Sequence, residues 1–288
     1  MVQSALPVPS DTKNRKALII GCSYYESNNP LSGAFNDAWN VLSLLRHTLQ
    51  FSESQVRFLV DGSRRCPMPQ PRRPTAAVIT ESLQWLTQDA QSGDAIFLYF
   101  AGYGLLLPHG VGTFESCLVP IDYAAMASPP HDTGSGYRLI PLMDVSLALS
   151  KLPAGCQATV VLDCCHSSLP GVGSASQPAI FHWAQMQPPA FAGLEEDLPE
   201  GFYPKARRLV LPSVPIQTPR SMQAATFNCS LTCFSACQQA QWCAELPIEG
   251  VMQGAFTWAW VKAMVANGGV IKSPTQMKGS VEANSMLE

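Results

Sequence analysis

Long hydrophobic runs are missing from this chain of 288 residues. The nearest to one, residues 95–108, is interrupted by Gly102 and Gly104 and falls short of the roughly 18 apolar residues that a membrane span requires. Charge is also scarce, at 14% of residues, and neither sign dominates: 18 Lys and Arg stand against 21 Asp and Glu, a net charge of −3. Nucleic-acid binding needs a basic face, so no nucleic-acid partner is expected. The two short basic clusters, "SRRCP" at 63–67 and "PRRPT" at 71–75, lie in a proline-rich connection and read as a solvated loop. The opening residues, "MVQSALPVPSDTKNRK", contain no apolar signal-peptide core. Val2 stands where N-myristoylation needs glycine. A cytoplasmic location is expected, where thiols stay reduced.

Apolar residues make up 47% of the chain, enough for a packed core. "KALIIGC" (16–22), "VRFLVD" (56–61), "AIFLYFA" (95–101) and "QATVVLDCC" (157–165) are short apolar runs that read as buried strands. Residues 33–49, 75–90, 141–152 and 254–265 carry helical signals: apolar spacing at 34, 38, 41, 42, 45 and 49, a Thr cap at 75, and Pro141 at a helix start. "ESCLVPID" (115–122) and "NCSLTCFSAC" (228–237) read as further strands. Strands alternating with helices, several of them apolar throughout, imply a mostly parallel sheet covered on both faces. In such sheets ligands bind beyond the carboxyl ends of the strands. The organisation read from this pattern is a flexible segment at 1–15, a single domain at 16–267 and a polar tail at 268–288. Within the domain, residues 167–220 form a Pro-rich insertion, with nine prolines between 170 and 219.

Ten cysteines are present. Four of them, Cys229, Cys233, Cys237 and Cys243, are separated by three, three and five residues, with no histidine nearby. That spacing lacks the paired CxxC knuckles of a zinc site, so they read as buried small hydrophobes. If their segment is a strand, the first three share one face. "DCCHSS" (163–168) is different, because it places Cys165 at a strand end. A nucleophilic cysteine needs an ionised sulfur and normally an imidazole to take its proton. Adjacent residues at a strand end point to opposite faces, so His166 is poorly placed to serve Cys165.

Taken in order, the segments resemble the metacaspases, caspase-like cysteine peptidases of protists, fungi and plants. "KALIIGCSYYESNNPLSGAFNDAWNV" is similar to that family's opening strand, Tyr-Tyr loop and Gly-x-x-Asn-Asp helix start. "PTAAVITESLQWLTQDAQSGDAIFLYFAGYG" resembles the helix and strand leading to its Ser-Gly-His-Gly. "DCCHSS" resembles its Asp-x-Cys-His-Ser-Gly, and "CFSACQQAQWCAE" its Ser-Gly-Cys segment with acidic residues. The resemblance covers about 16–265 and implies a caspase-like α/β sandwich. It also implies Cys165 as nucleophile, Gly104 with the Cys165 amide as oxyanion donors, and Asp37 and Asp163 as acids selecting Arg or Lys at P1. The residues leave another reading of Asp37 open, as a helix-start acid facing the macrodipole.

Tyr103 falls on the family's catalytic histidine. A phenol with an ordinary pKa of about 10 is a poor base at neutral pH. Ala101 and Ser168 also depart from the family pattern. The region after Gly104 lacks the Asp/Glu-rich loop of calcium-dependent members; Glu115 alone cannot supply some six oxygen ligands, so no metal or other cofactor is expected. His109 or His166 could replace the base, whereas His47, His131 and His182 read as surface or loop residues. Two functions remain: a pseudopeptidase that binds peptides, proteins or an active metacaspase relative, and a slow, calcium-independent cysteine endopeptidase using Cys165.

Overall fold

The computed structural model describes residues 14–62, 72–108, 112–125, 136–172, 180–182, 205–211, 225–237 and 243–269. In chain order the elements are β1 (Arg15–Gly21), α1 (Ala34–His47), β2 (Val56–Val60), α2 (Ala76–Thr87), β3 (Ala95–Ala101), β4 (Gly104–Pro108), β5 (Phe114–Leu118), β6 (Ile140–Pro141), α3 (Leu142–Leu149), β7 (Gln157–Asp163), β8 (Ile180–His182), β9 (Lys205–Ala206), β10 (Ser230–Ser235), β11 (Ala244–Ile248), β12 (Val251–Gly254) and α4 (Ala255–Ala266).

Six strands form the central sheet, in the order β2-β1-β3-β7-β10-β8, and every pairing is parallel. The chain runs from β1 outward to β2, then returns to place β3 on the other side of β1, which puts a topological switch between β1 and β3. All seven residues of β3 are buried, which requires cover on both faces. Helices α1 and α4 pack on each other, and so do α2 and α3. Thr75 caps α2 by accepting from the Val78 amide at 3.4 Å, as its sequence position implies. Pro141 is the last residue of β6 and the N-cap of α3. Two small antiparallel sheets, β4-β5-β6 and β12-β11-β9, flank the carboxyl end of the main sheet.

The fold is thus the mostly parallel α/β arrangement expected from the alternating pattern. The differences are local. Strand β10 covers only Ser230–Ser235, so Cys233 lies within it while Cys229 precedes it and Cys237 lies beyond its end. The three cysteines do not share one strand face. The β11–β12 hairpin has no counterpart in the sequence reading. Its two-residue turn, Glu249–Gly250, holds φ of +53° and +74°, the pattern of a type I′ turn. The usual Asn-Gly or Asp-Gly signal is replaced by Glu-Gly, which propensity alone does not single out. Strands β8 and β9 fall inside the Pro-rich 167–220 stretch, where no element was expected.

Trp260 on α4 is fully buried, stacked with Phe97 of β3 at a centroid distance of 6.1 Å and edge-on to Phe234 of β10 at 5.9 Å. It joins the helix to β3 and β10, on either side of β7. Its indole Nε1 has no hydrogen-bond partner among the described residues. Trp260→Ala is expected to lower stability by about 3–5 kcal/mol in chemical denaturation. Trp260→Phe should lose far less, since it keeps an aromatic ring there and removes an unpaired donor.

Candidate active site

The site grows from one register. Ala101 pairs with Asp163 where β3 and β7 end side by side. Tyr103 and Cys165 both lie two residues further on, so both emerge at the same sheet edge. His166 follows Cys165 with φ of +57°, a left-handed turn that bends the chain sharply off the strand. Gly104 begins β4 alongside. A Cβ at Gly104 would stand 1.9 Å from the Cys165 carbonyl oxygen, so only glycine permits this approach.

Two backbone amides converge on one oxygen. The Gly104 N–H donates to the Arg207 carbonyl at 3.1 Å, and the Cys165 N–H donates to the same oxygen at 3.2 Å. The Arg207 N–H in turn donates to the Cys243 carbonyl at 2.9 Å. Immediately before Arg207, β9 pairs antiparallel with β11, Ala206 opposite Ala244 and Lys205 opposite Glu245. Immediately after it, the Leu209 N–H donates to the Gly104 carbonyl at 3.2 Å. Residues 205–209, with β9 at their start and an isolated bridge from Arg208 to Gly104, are therefore held at the ends of β3 and β7.

The Arg207 side chain is fully buried among carboxylates. Its Nη2 pairs with Asp37, its Nη1 lies 2.9 Å from Asp163, and Glu245 is 3.6 Å away. Asp37 sits in the first turn of α1, Asp163 ends β7, and Glu245 lies in β11. One cation does not offset three buried carboxylates, so backbone donors share the load. The Gly254 N–H reaches both Asp37 oxygens at 2.9 and 3.0 Å. Thr257 donates its amide and hydroxyl to Asp163 at 3.2 and 2.6 Å. Ser32 and Gly33 donate to Glu245 at 2.7 and 2.9 Å. These donors come from the N-terminal ends of α1 and α4, where the helix dipole favours negative charge. Burial still pushes the Asp37 carboxyl up, against the opposing pull of Arg207. Asp37 is therefore paired with a buried cation as well as placed near a helix start.

Tyr103 is engaged elsewhere. Its hydroxyl donates to the Asn29 carbonyl at 2.9 Å, and its ring lies 4.7 Å from that of Tyr24. Its amide donates to the Tyr24 hydroxyl at 2.9 Å, which itself donates to the Val119 carbonyl at 2.6 Å. Burial and the nearby Glu245 charge push the Tyr103 phenol well above its ordinary value. At neutral pH it is a neutral hydrogen-bond donor.

Around Cys165 the structure adds what sequence spacing concealed. Its Sγ lies 3.8 Å from the Cys243 Sγ, and the Cys243 amide donates to it at 3.4 Å. Cys237 is the third member, with all three sulfurs within 4.8 Å of one another. Thiol donation from Cys165 and Cys243 pulls Cys237 down, and that partnership pushes Cys165 up. His166 adds a smaller pull on Cys237 in the same direction. His109 and His131 lie outside the described residues, as does the His182 side chain; His47 is exposed on the last turn of α1. Arg207 was the residue the sequence reading missed. Its signal was available: the basic cluster Lys205, Arg207 and Arg208 interrupts a long proline-rich stretch with few other charges of that sign.

Replacing Arg207 with alanine leaves Asp37 and Asp163 without their cation. Breaking a buried pair in this way costs about 3 kcal/mol or more, and residues 205–209 are expected to leave the crevice. Amide exchange at Gly104 and Cys165 should accelerate by on the order of 10²-fold, because the one acceptor they share is lost to both. Hydrogen-exchange mass spectrometry of wild type and Arg207→Ala reads this directly.

The metacaspase, peptidase C14 domain family matches residues 15–170, more than half of the chain. Metacaspase-1 of Yarrowia lipolytica is 27% identical over 87% of this chain and 54% of its own length. Metacaspase-5 of Trypanosoma brucei brucei is 35% identical over 56% of this chain and 30% of its own length. The chain thus spans only about half the length of such relatives, or less. A crystallised protein of Geobacter sulfurreducens shares the fold, with a TM-score of 0.58 at 15% identity, over 93% of this chain and 88% of that one. Gly104, Asp163 and Cys165 all fall within the matched residues, at one end of the parallel sheet: the chain belongs to the metacaspase family of cysteine peptidases.

Proposed function

We propose that this chain is a metacaspase-type cysteine endopeptidase domain, specific for Arg or Lys at P1, in which Tyr103 has replaced the general base and left catalysis impaired. One observation carries the reading. Arg207 is bound as a P1 residue would be, its carbonyl oxygen between the Gly104 and Cys165 amides and its guanidinium against Asp37 and Asp163. Two N–H groups aimed at one carbonyl oxygen are the geometry of an oxyanion hole. A pocket of buried carboxylates rejects a neutral side chain because the acids would then be unpaired. The Arg207–Arg208 bond is the bond such a pose presents to Cys165.

The missing component is proton transfer. A neutral phenol turned toward Asn29 neither takes the Cys165 proton nor protonates a departing amine. Loss of general acid–base catalysis costs on the order of 10²–10⁴-fold. The occupied pocket adds a second brake, because an outside peptide must displace Arg207. In this state the domain acts as a binder of exposed basic segments, whether of another protein or of an active metacaspase. Calcium has no role in the reading, since the segment after Gly104 offers only Glu115 as an acid, and a cytoplasmic setting fits thiols kept reduced. Among the described residues, no helix is long and apolar enough to cross a membrane.

The second reading, a slow calcium-independent endopeptidase, rests on the same substrate-like pose together with retained Cys165. Intact-mass analysis and cleavage of an Arg-P1 fluorogenic peptide separate the two. Wild type is expected to stay in one piece and to be nearly silent. Tyr103→His is expected to split between Arg207 and Arg208 and to gain on the order of 10²–10⁴-fold in turnover, with a pH limb near an imidazole's value of about 6.5. Adding Cys165→Ala should abolish that gain. Wild-type turnover that matches Tyr103→His and disappears in Cys165→Ala would overturn the impaired reading in favour of the slow enzyme. Silence from a folded Tyr103→His would mean that the base is not the missing part.

A further inference from the structure

The nine described cysteines are all buried and free of disulfides. Most sit apart as small core residues, but three are gathered at one edge. Leu162 of β7 pairs with Ser235 of β10. Cys165 lies three residues past the first and Cys237 two past the second, so both leave the sheet at the same place. Cys243 comes in just before β11, and its backbone meets Cys165 directly: the Cys243 N–H donates to the Cys165 sulfur at 3.4 Å. The three sulfurs lie within 4.8 Å of one another, and Cys165 and Cys243 are 3.8 Å apart.

We infer that Cys165, Cys237 and Cys243 form a binding site for one thiophilic d10 cation of the zinc class, held by three sulfurs with a fourth position open. Zinc–thiolate bonds of about 2.3 Å in a tetrahedron place sulfurs about 3.8 Å apart. The Cys165–Cys243 pair already has that separation, and the third sulfur needs to close in by no more than about 1 Å. Each ligating sulfur gives up its proton on coordination. A disulfide would use two sulfurs and leave the third without a role, whereas a metal uses all three. Sulfur ligands select zinc and similar soft ions over calcium or magnesium. Supporting donors are in place as well. The Cys243 amide points at the Cys165 sulfur, and the His166 amide does the same for Cys237. Such outer hydrogen bonds orient ligands and sustain affinity.

The binding claim stands on the sulfurs alone. Its consequence, that the metal would occupy the lone pair with which Cys165 attacks a peptide, rests on the peptidase reading above. The test therefore uses no peptide. The full chain, kept reduced, is titrated with cobalt(II) as a spectroscopic stand-in and then with zinc against a chromophoric chelator. The expected result is one equivalent of cobalt with a sulfur-to-metal charge-transfer band whose intensity fits three thiolates, displaced by zinc. Cys237→Ser and Cys243→Ser should each weaken zinc binding by about 10-fold or more, while Cys233→Ser, buried in β10 away from the cluster, should leave it unchanged. Zinc should also raise the melting temperature of wild type by mass action. If the serine variants do not fold, the wild-type band and its intensity decide the matter. A folded wild type without the band, a band too weak for three thiolates, or zinc affinity unchanged in both folded variants would overturn the site.

Discussion

The buried guanidinium of Arg207 organises this end of the molecule. Three carboxylates that are remote in sequence, Asp37, Asp163 and Glu245, could not be brought out of water together without a cation among them. Arg207 supplies it, and the amides at the starts of α1 and α4 offset what remains. Remove that charge and the ends of β7, α1, α4 and β11 lose their reason to converge. Because Arg207 belongs to an extended segment, the same ion pairs also hold residues 205–209 across the sheet edge. A stability requirement and a substrate-like pose are met by one side chain.

The chemistry at that edge follows from parallel strands ending in register. With Ala101 opposite Asp163, the next two residues of each chain deliver Tyr103 on one side and Cys165 on the other. Gly104 then turns back close enough for its amide to share an acceptor with that of Cys165. Under the proposed function, the groups that would bind and polarise a peptide carbonyl are the Gly104 and Cys165 amides and the carboxylates around Arg207. The side chain beside that edge that bears on proton transfer is Tyr103. The phenol of Tyr103 packs against Tyr24 and donates to Asn29, which leaves it a structural group. The nearest ionisable neighbours of the Cys165 sulfur are two more thiols, which makes its surroundings those of a soft-metal site as much as those of a nucleophile.

Much of this was legible in the sequence for physical reasons. Strands that must be buried on both faces are written as uninterrupted apolar runs, so β1, β3 and β7 could be read directly. Thr75 declared the start of α2. The resemblance to metacaspases singled out Asp37, Tyr103, Gly104, Asp163 and Cys165, and the fold gathers all five around the ends of β3 and β7. The unread parts depend on distance in sequence. Arg207 looks like a surface residue in a proline-rich connection until Asp37, some 170 positions earlier, is brought beside it. The cysteines at 237 and 243 have the wrong spacing for a zinc knuckle because the third sulfur, Cys165, comes from the turn just after β7. The β11–β12 hairpin turns on Glu249–Gly250, where the positive φ at a glutamate is imposed by pairing in the sheet rather than by local preference.

The central claim is that Arg207 occupies the pocket that a basic P1 residue of a substrate would use. A fluorescent peptide ending in arginine aldehyde, which forms a reversible hemithioacetal with a reachable cysteine, tests it by equilibrium titration of wild type and Arg207→Ala. The account predicts weak binding to wild type and at least about tenfold tighter binding once the internal arginine is gone, a release of about 1.4 kcal/mol or more of competition. Equal affinity for the two proteins, or tighter binding to wild type, would contradict it.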